Sequence, residues 1–168
     1  MKNKELQSHK QTVRINGALK EMVTIIDDEG KIFHKFMMPH VSEFYLRDVL
    51  QVIIGSVLLA IPMTFSEELW IIAGELTTYE ITMFVVVSVF FNGLFIYQNF
   101  YKGKLKRHIG ECIKRVIFTY LFALLIATFF LSLIHQLPWD ADPWTALARV
   151  VLVALPASLS GTLADSIK

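Results

Sequence analysis

The sequence has few of the residues that hold metal ions or form disulfide bonds. It contains one cysteine, Cys112, which excludes an internal disulfide and a cluster of cysteine ligands. The histidines do not recur at the short spacings that metal-binding motifs require. We therefore expect neither a bound metal nor a cofactor. The five histidines are His9, His34, His40, His108 and His135.

Sequence motifs of the common enzyme classes are also missing. The chain has no G-x-S-x-G, no H-E-x-x-H, no Walker A motif and no glycine-rich dinucleotide loop. Its polar side chains form no recognisable acid/base or nucleophile arrangement. We therefore expect that the protein is not an enzyme.

Charged residues are scarce, and the sequence contains several long apolar runs. Of the 168 residues, 18% are charged and 54% are hydrophobic, whereas soluble domains have about 25% charged residues. A helix of about 20 apolar residues crosses the roughly 30 Å hydrocarbon core of a bilayer. Four segments qualify, so we expect an all-α membrane protein whose four transmembrane helices form two antiparallel hairpins. The predicted spans are residues 49–65, 81–100, 116–134 and 144–165.

Lysine and arginine are absent from two of the connections between these spans. Residues 66–80 and 135–143 contain no basic residue and hold six carboxylates. Basic residues are concentrated before the first span and in residues 102–115, and Lys168 ends the chain. Because cytoplasmic segments are enriched in Lys and Arg, we expect both termini in the cytoplasm and a multi-pass protein of the plasma membrane.

The first 44 residues form a small separate segment, followed by a membrane domain at residues 45–168. Residues 22–26 and 31–36 are rich in β-forming side chains and flank the acidic, glycine-containing turn 27–30. This pattern predicts a cytosolic β-hairpin. Two interpretations stay open: the hairpin caps and anchors the first helix, or it binds a partner or regulates the protein.

Charged residues near the ends of the spans are candidates for a functional site. Such residues are costly in a bilayer and tend to face the bundle interior or a wet cavity. Arg149 lies early in the fourth span, and Glu67, Glu68 or Asp142 is its simplest partner at an outer mouth. It forms a structural ion pair, extends to the interface, acts as a gate or contacts a transported anion. Asp165, at the inner end of the same span, is either solvated or lines an inner mouth.

Two prolines inside the predicted spans have similar neighbouring sequences. A proline in a membrane helix frees a backbone carbonyl and kinks the helix, and a nearby Ser or Thr can satisfy that carbonyl. Small residues also recur every four positions in the last span, which lets a neighbouring helix approach closely. These features either line a pathway or serve helix packing. The pathway or packing candidates are Pro62, Pro156, Ser158, Ser160, Thr162 and Asp165.

The chain resembles a prokaryotic family of integral membrane proteins known as domain of unknown function 2391. The resemblance is carried by RDVLQVIIGSVLLAIPMTFSEELW, IKRVIFTYLFALLIATFFLSLI and RVVLVALPASLSGTLADSIK. It covers about residues 45–168. The resemblance implies a multi-helix membrane protein, and it implies no activity and no catalytic residues.

These patterns favour one functional hypothesis and leave a second open. We expect a small oligomeric channel or transporter in the lipid bilayer for a small ion, and the acidic outer connections favour a cation. Four helices leave little room for a hole, so a pathway is expected to require a homo-oligomer. The alternative is a non-conducting scaffold or sensor that acts through its cytosolic segments. Neither hypothesis involves nucleic acid.

Overall fold

A computed structural model describes residues 7–15, 18–26, 32–39, 46–102 and 105–167 of the chain. The chain separates into two compact units, Met1–Glu43 and Phe44–Lys168. The described part of the first unit is a β-sheet, and that of the second is a bundle of helices.

The first unit is a three-stranded antiparallel sheet in the order β1-β2-β3. Its strands are β1 (Gln7–Ile15), β2 (Ala18–Ile26) and β3 (Ile32–Pro39). Strands β2 and β3 are the two arms of the predicted hairpin, which is confirmed, and β1 adds a third strand. The predicted turn at residues 27–30 lies outside the described residues. A third strand matters because an isolated two-stranded hairpin is only marginally stable.

The second unit contains four helices, among the described residues, that are long and apolar enough to cross a membrane. This confirms the predicted all-α membrane architecture. A π-helical turn, Tyr97–Tyr101, continues the third helix. The helices are α1 (Leu46–Thr64), α2 (Glu67–Glu75), α3 (Thr78–Ile96), α4 (Leu105–Leu133) and α5 (Pro143–Ser166).

The bounds of α1, α3 and α5 lie within a few residues of the predicted spans, but those of α4 do not. α4 begins at Leu105, whereas the third span was predicted from residue 116. The prediction followed the apolar run and stopped where basic residues begin. Lys and Arg are good helix formers, so the helix continues through them. Arg115 therefore lies inside α4 and not in the connecting segment.

The connection between the first two spans contains the short helix α2, which the sequence interpretation treated as a loop. Ser66 begins this helix, because its Oγ accepts a hydrogen bond from the backbone nitrogen of Leu69 at 3.4 Å. Glu67 and Glu68 occupy the first turn, where negative charge is favourable. After α2, Thr77 and Glu80 form a reciprocal capping box that starts α3.

α5 lies at the centre of the bundle and packs against α1, α3 and α4. Its closest approach is to α1, at Gly55 and Gly161. A Cβ on Gly55 would lie 2.8 Å from the carbonyl oxygen of Ser160 and 3.0 Å from the Cα of Gly161. Both helices therefore need glycine at this crossing.

Small side chains also fill the interior of the bundle on the side where α1 and α4 end. Five alanines there are completely buried, and they pack with larger residues of α4 and α5 into one apolar cluster. Such small side chains allow the helix backbones to approach closely. We call this group the alanine core. The five residues are Ala60, Ala123, Ala127, Ala154 and Ala157.

Candidate functional site

Three charged side chains meet between α1, α4 and α5 at one end of the bundle. Arg115 donates from Nε to Oδ2 of Asp165 at 2.7 Å and from Nη2 to Oδ1 at 2.8 Å. Nη2 also lies 3.4 Å from Oδ2 of Asp48. All three residues are buried. We call them the ion cluster, and we call this end, where α1 begins and α5 ends, the inner end, which is the predicted cytoplasmic one.

The helix ends explain where the two aspartates stand. Asp48 lies in the first turn of α1, where the helix dipole favours a carboxylate. Asp165 lies in the last turn of α5, where the same effect disfavours negative charge. The guanidinium of Arg115 offsets this cost through two charge-assisted hydrogen bonds in a fixed geometry. The ion cluster thus joins one end of α1 and one end of α5 to the middle of α4.

The π-helical turn after α3 covers the ion cluster. The ring centroid of Phe100 lies 3.7 Å from the Cζ of Arg115, and Tyr101 beside it is fully buried. An aromatic face attracts a cation, so this stacking stabilises the buried guanidinium. Single π-helical turns are frequent at functional sites. The turn therefore links the position of α3 to the charge on α4.

A second polar cluster lies farther into the bundle, between α3 and α5. Asn92 donates from Nδ2 to Oγ of Ser158 at 2.8 Å and to the carbonyl oxygen of Ser88 at 2.7 Å. Thr162 donates from Oγ1 to Oδ1 of Asn92 at 2.6 Å. These side chains are at most 1% exposed. We call Asn92, Ser158 and Thr162 the amide cluster, and the two clusters together the buried polar network.

The buried hydroxyls without a hydrogen-bond partner among the described residues include Oγ of Ser56 and Oγ1 of Thr119. Thr119 lies one turn beyond Arg115 on α4, and the Ser56 hydroxyl stands where a Cβ on Gly161 would be. A buried polar group left unpaired costs roughly 1–3 kcal/mol.

The structure brings three of the six predicted pathway or packing candidates into the buried polar network. Ser158, Thr162 and Asp165 all belong to it, and each faces a neighbouring helix. Asp165 is neither solvated nor at an open mouth, because Arg115 encloses its carboxylate. The other three lie outside the network: Pro62 is exposed, and Pro156 and Ser160 are partly buried.

The hydroxyls near the two prolines do not satisfy the carbonyls that the prolines free. A helical proline frees the carbonyl of the residue four positions before it. Thr64 donates instead to the carbonyl of Ala60 at 2.6 Å, and Ser158 to that of Leu155 at 2.9 Å. Neither accepting residue stands four positions before a proline.

The acidic residues predicted for an outer mouth are all exposed, at the end of the bundle opposite to the ion cluster, which we call the outer end. Glu67 and Glu68 stand in the first turn of α2. Asp142 caps α5 and accepts hydrogen bonds from the backbone nitrogens of Trp144 and Thr145. The hydrogen bonds from Thr145, through its hydroxyl first and then its backbone, hold the pKa of the Asp142 carboxyl below its usual value.

Arg149 does not make the ion pair with Glu67, Glu68 or Asp142 that was one of its alternative predicted roles. Its Nη1 donates to the backbone oxygen of Gln136 at 2.7 Å and to the side-chain Oε1 of Gln136 at 3.1 Å. It pairs with no carboxylate of the described residues. The reason is direction: helical side chains lean toward the N-terminus of their helix, which brings Arg149 to the turn that follows α4.

Sequence reasoning missed half of the buried polar network. Asp48 and Arg115 lie at the edges of apolar runs, and such charges are ordinarily read as solvated flanks. Asn92 carried a usable signal, because it is a lone amide in the middle of a predicted span, and polar residues at that depth are costly. Ser56 and Thr119 gave a weaker signal in the sequence, because a hydroxyl inside a helix can bond to a carbonyl of its own helix and then needs no other partner.

No group of three His, Cys, Asp or Glu side chains comes together to hold a metal ion in the part of the chain that the structure describes.

The family model described as "Putative integral membrane protein (DUF2391)" matches residues 13–165. Comparisons with curated proteins and with solved structures found no match. The match confirms the resemblance and extends it into β1, so the chain belongs to the DUF2391 family of integral membrane proteins.

Proposed function

We propose that the protein transports a small cation across the membrane and that the buried polar network is part of its pathway. One observation carries this proposal: ionised and amide side chains are enclosed within a bundle of apolar, membrane-capable helices. Such side chains are expensive in a bilayer, and in membrane proteins they mark ion and proton pathways. Along α5 the network extends from Ser158 to Asp165, which is about 10 Å of helix.

A transporter that changes conformation fits this geometry better than a permanently open pore. The network is closed in the described part of the chain, because its side chains bond to one another and face neighbouring helices. Toward the outer end the alanine core continues the interior with apolar side chains. A cation therefore reaches the network only when helices shift, as in the helix and domain movements of switching proteins.

The charges at the outer end favour a cation as the transported species. Its two predicted outer connections carry six carboxylates and no Lys or Arg, and clefts lined by one sign of charge concentrate ions of the other sign. Inside the bundle, carboxylate, amide and hydroxyl oxygens are ligands that hard cations prefer. The homo-oligomer stays a prediction, but the network lies within one copy and needs no axis between copies.

Flux measurements in liposomes test this proposal. We expect the purified protein to carry Na⁺, K⁺ or protons faster than empty vesicles do, under an imposed gradient and voltage. Asn92→Leu removes both hydrogen bonds of the amide cluster and is expected to reduce the flux at least several-fold. Asn99→Ala is the matched control, because Asn99 is exposed and, among the described residues, its side chain bonds only to the carbonyl of Phe95.

Absence of flux above empty vesicles for all three ions would defeat the proposal. Equal flux in the two variants would remove the buried polar network from the pathway. Protein quantity and orientation in the vesicles are measured for each variant, so that poor insertion is not mistaken for lost transport.

The separate β-sheet unit favours a second candidate, a scaffold or sensor that acts through its cytosolic part. Ile32 and Met37 of β3 are 65% and 56% exposed, and exposed apolar side chains on a sheet offer a surface for a partner. We expect that a soluble partner would co-purify in fixed proportion with the full chain. Loss of that partner on deletion of residues 1–40, together with absent flux, would support this candidate over transport.

A further inference from the structure

Arg149, near the outer end of the bundle, has one guanidinium group, Nη2, that donates to none of the described residues and is not buried. The Nε and Nη2 groups of an arginine form a fork that binds two oxygens of a carboxylate or phosphate. In Arg115 this fork holds both oxygens of Asp165. In Arg149 only Nη1 is engaged, by Gln136. Its Nε has no hydrogen-bond partner among the described residues but is enclosed by the protein, out of reach of a ligand, whereas Nη2 is not enclosed in this way and donates to none of these residues.

The positive charge of Arg149 is also unbalanced within the described part of the chain. The residue is partly buried on α5 and forms no ion pair there with a carboxylate. The nearest acidic residue along α5, Asp142, uses its oxygens to cap the helix. A charge at this depth without a counter-charge is costly, and a bound anion would lower that cost.

The depth of the guanidinium indicates where such an anion would come from. Trp139 and Trp144 are 47% and 58% exposed at the outer end, as expected for tryptophans at the level of lipid headgroups. Arg149 follows Trp144 by five residues, about 7.5 Å along the helix. Its side chain reaches back to Gln136, in the turn before α5, so the charged group returns toward the level of the tryptophans.

We propose that Nη2 of Arg149 binds a phosphodiester oxygen of a phospholipid in the outer leaflet. Free phosphate offers the same oxygens, but the exposed carboxylates of the outer connections repel a doubly charged anion that approaches through water. A lipid phosphodiester carries one charge and approaches from the bilayer. Gln136 holds the other end of the guanidinium and fixes its direction. This site is distinct from the buried polar network and does not depend on transport.

Binding is measured on the full chain in mild detergent by native mass spectrometry with three probes. Phosphatidylglycerol supplies the phosphodiester, digalactosyldiacylglycerol supplies the same acyl chains without phosphate, and inorganic phosphate supplies the anion without a lipid. We expect retention of phosphatidylglycerol and a raised Tm in its presence. Equal retention of the galactolipid would overturn the proposal, and so would a phosphate effect without a phospholipid effect, because the ligand would then be a soluble anion.

Three substitutions show whether Arg149 is responsible. Arg149→Gln removes the charge and the Nη2 donor and is expected to weaken phosphatidylglycerol binding about tenfold or more. Arg149→Lys keeps the charge but loses the guanidinium that Gln136 directs, so we expect an intermediate loss, and this variant decides the question if the first does not fold. Lys114→Gln, at an exposed cation of the inner end, is expected to bind as wild type does. Unchanged binding in both Arg149 variants would overturn the proposal.

Discussion

Arg115 and Asp165 are joined at two points, Nε to Oδ2 at 2.7 Å and Nη2 to Oδ1 at 2.8 Å, and neither side chain is exposed. The pair connects α4 to the last turn of α5, and Asp48 brings in the first turn of α1. Taking charges out of water is costly, and the cost is recovered only where the geometry is good and both partners remain. Removal of one partner is therefore expected to lower the stability of the fold more than removal of both.

The first prediction is that single substitutions at this pair destabilise the protein strongly and non-additively. Asp165→Asn and Arg115→Gln each leave a charge without its two-point partner, and we expect each to lower the free energy of unfolding by about 3 kcal/mol. In the double variant, the loss in the free energy of unfolding is expected to be clearly smaller than the sum of the two single losses. Unfolding in mixed detergent micelles, followed by circular dichroism, measures all three.

An exposed ion pair on α4 supplies the control for this cycle. Lys114 contacts Glu111 at 3.1 Å, and its side chain is 63% exposed. Such pairs contribute about 0–1 kcal/mol, so Lys114→Gln is expected to change stability little. Strictly additive effects of the two ion-cluster substitutions would contradict the coupling that the two-point contact implies.

The second prediction concerns the glycine crossing between α1 and α5. A Cβ at Gly55 meets backbone atoms of α5 that cannot move independently, so we expect Gly55→Ala to lower stability by about 1–3 kcal/mol. Gly74→Ala is the control, since a Cβ there has nothing within 4 Å and alanine is the better helix former. A tolerated alanine at Gly55 would show that the two helices are not held this closely.

The four spans were predictable from the sequence, because each is set by a long apolar run that only a membrane or a large core accommodates. The β2–β3 hairpin was predictable for a similar reason, since its signal is local. β1 was missed, because its run of Gln, His, Lys and Thr lacks the apolar alternation that marks a half-buried strand. Helix α2 was missed although Ser66 and the two glutamates after it form a recognisable helix start.

The ion cluster was not predictable in the same way, because it depends on which helices become neighbours. Asp165 lies 50 residues from Arg115 in sequence, and no local pattern connects them. The four-residue spacing of small side chains correctly pointed to a close contact of α5, but not to α1 as the partner. The partner of Arg149 was also not predictable from the sequence. Its charge favoured a carboxylate, but the direction of its side chain brings it to Gln136.

The third prediction concerns Asn92, which links α3 to two hydroxyls of α5. Asn92→Leu keeps the approximate volume and removes the hydrogen bonds to Ser158 and Thr162. Each such bond contributes about 1 kcal/mol in a membrane bundle, so we expect a loss of about 1–2 kcal/mol. Asn99→Ala, at the exposed asparagine of the π-helical turn, is expected to cost less. Equal losses in the two variants would indicate that the amide cluster adds no stability.

The fourth prediction concerns the pH dependence of the cap of α5. The pKa of Asp142 is lowered in the folded protein, chiefly by the hydrogen bond from the Thr145 hydroxyl. A lowered pKa means that the folded state binds this proton less readily than the unfolded state does. The stability that results is present above the unfolded value of about 4 and is lost as the pH falls through the folded value.

Substitution of Asp142 separates its contribution from that of the other carboxylates. Asp142→Asn keeps a side chain that can cap the helix but does not titrate, so we expect its Tm to fall less steeply than that of wild type between about pH 6 and about pH 3. Thr145→Val removes the hydroxyl that lowers the pKa most and should shift the loss of stability to higher pH. Parallel Tm curves for the three proteins would show that the cap is not linked to protonation, because the cap would then survive with its carboxylate neutral.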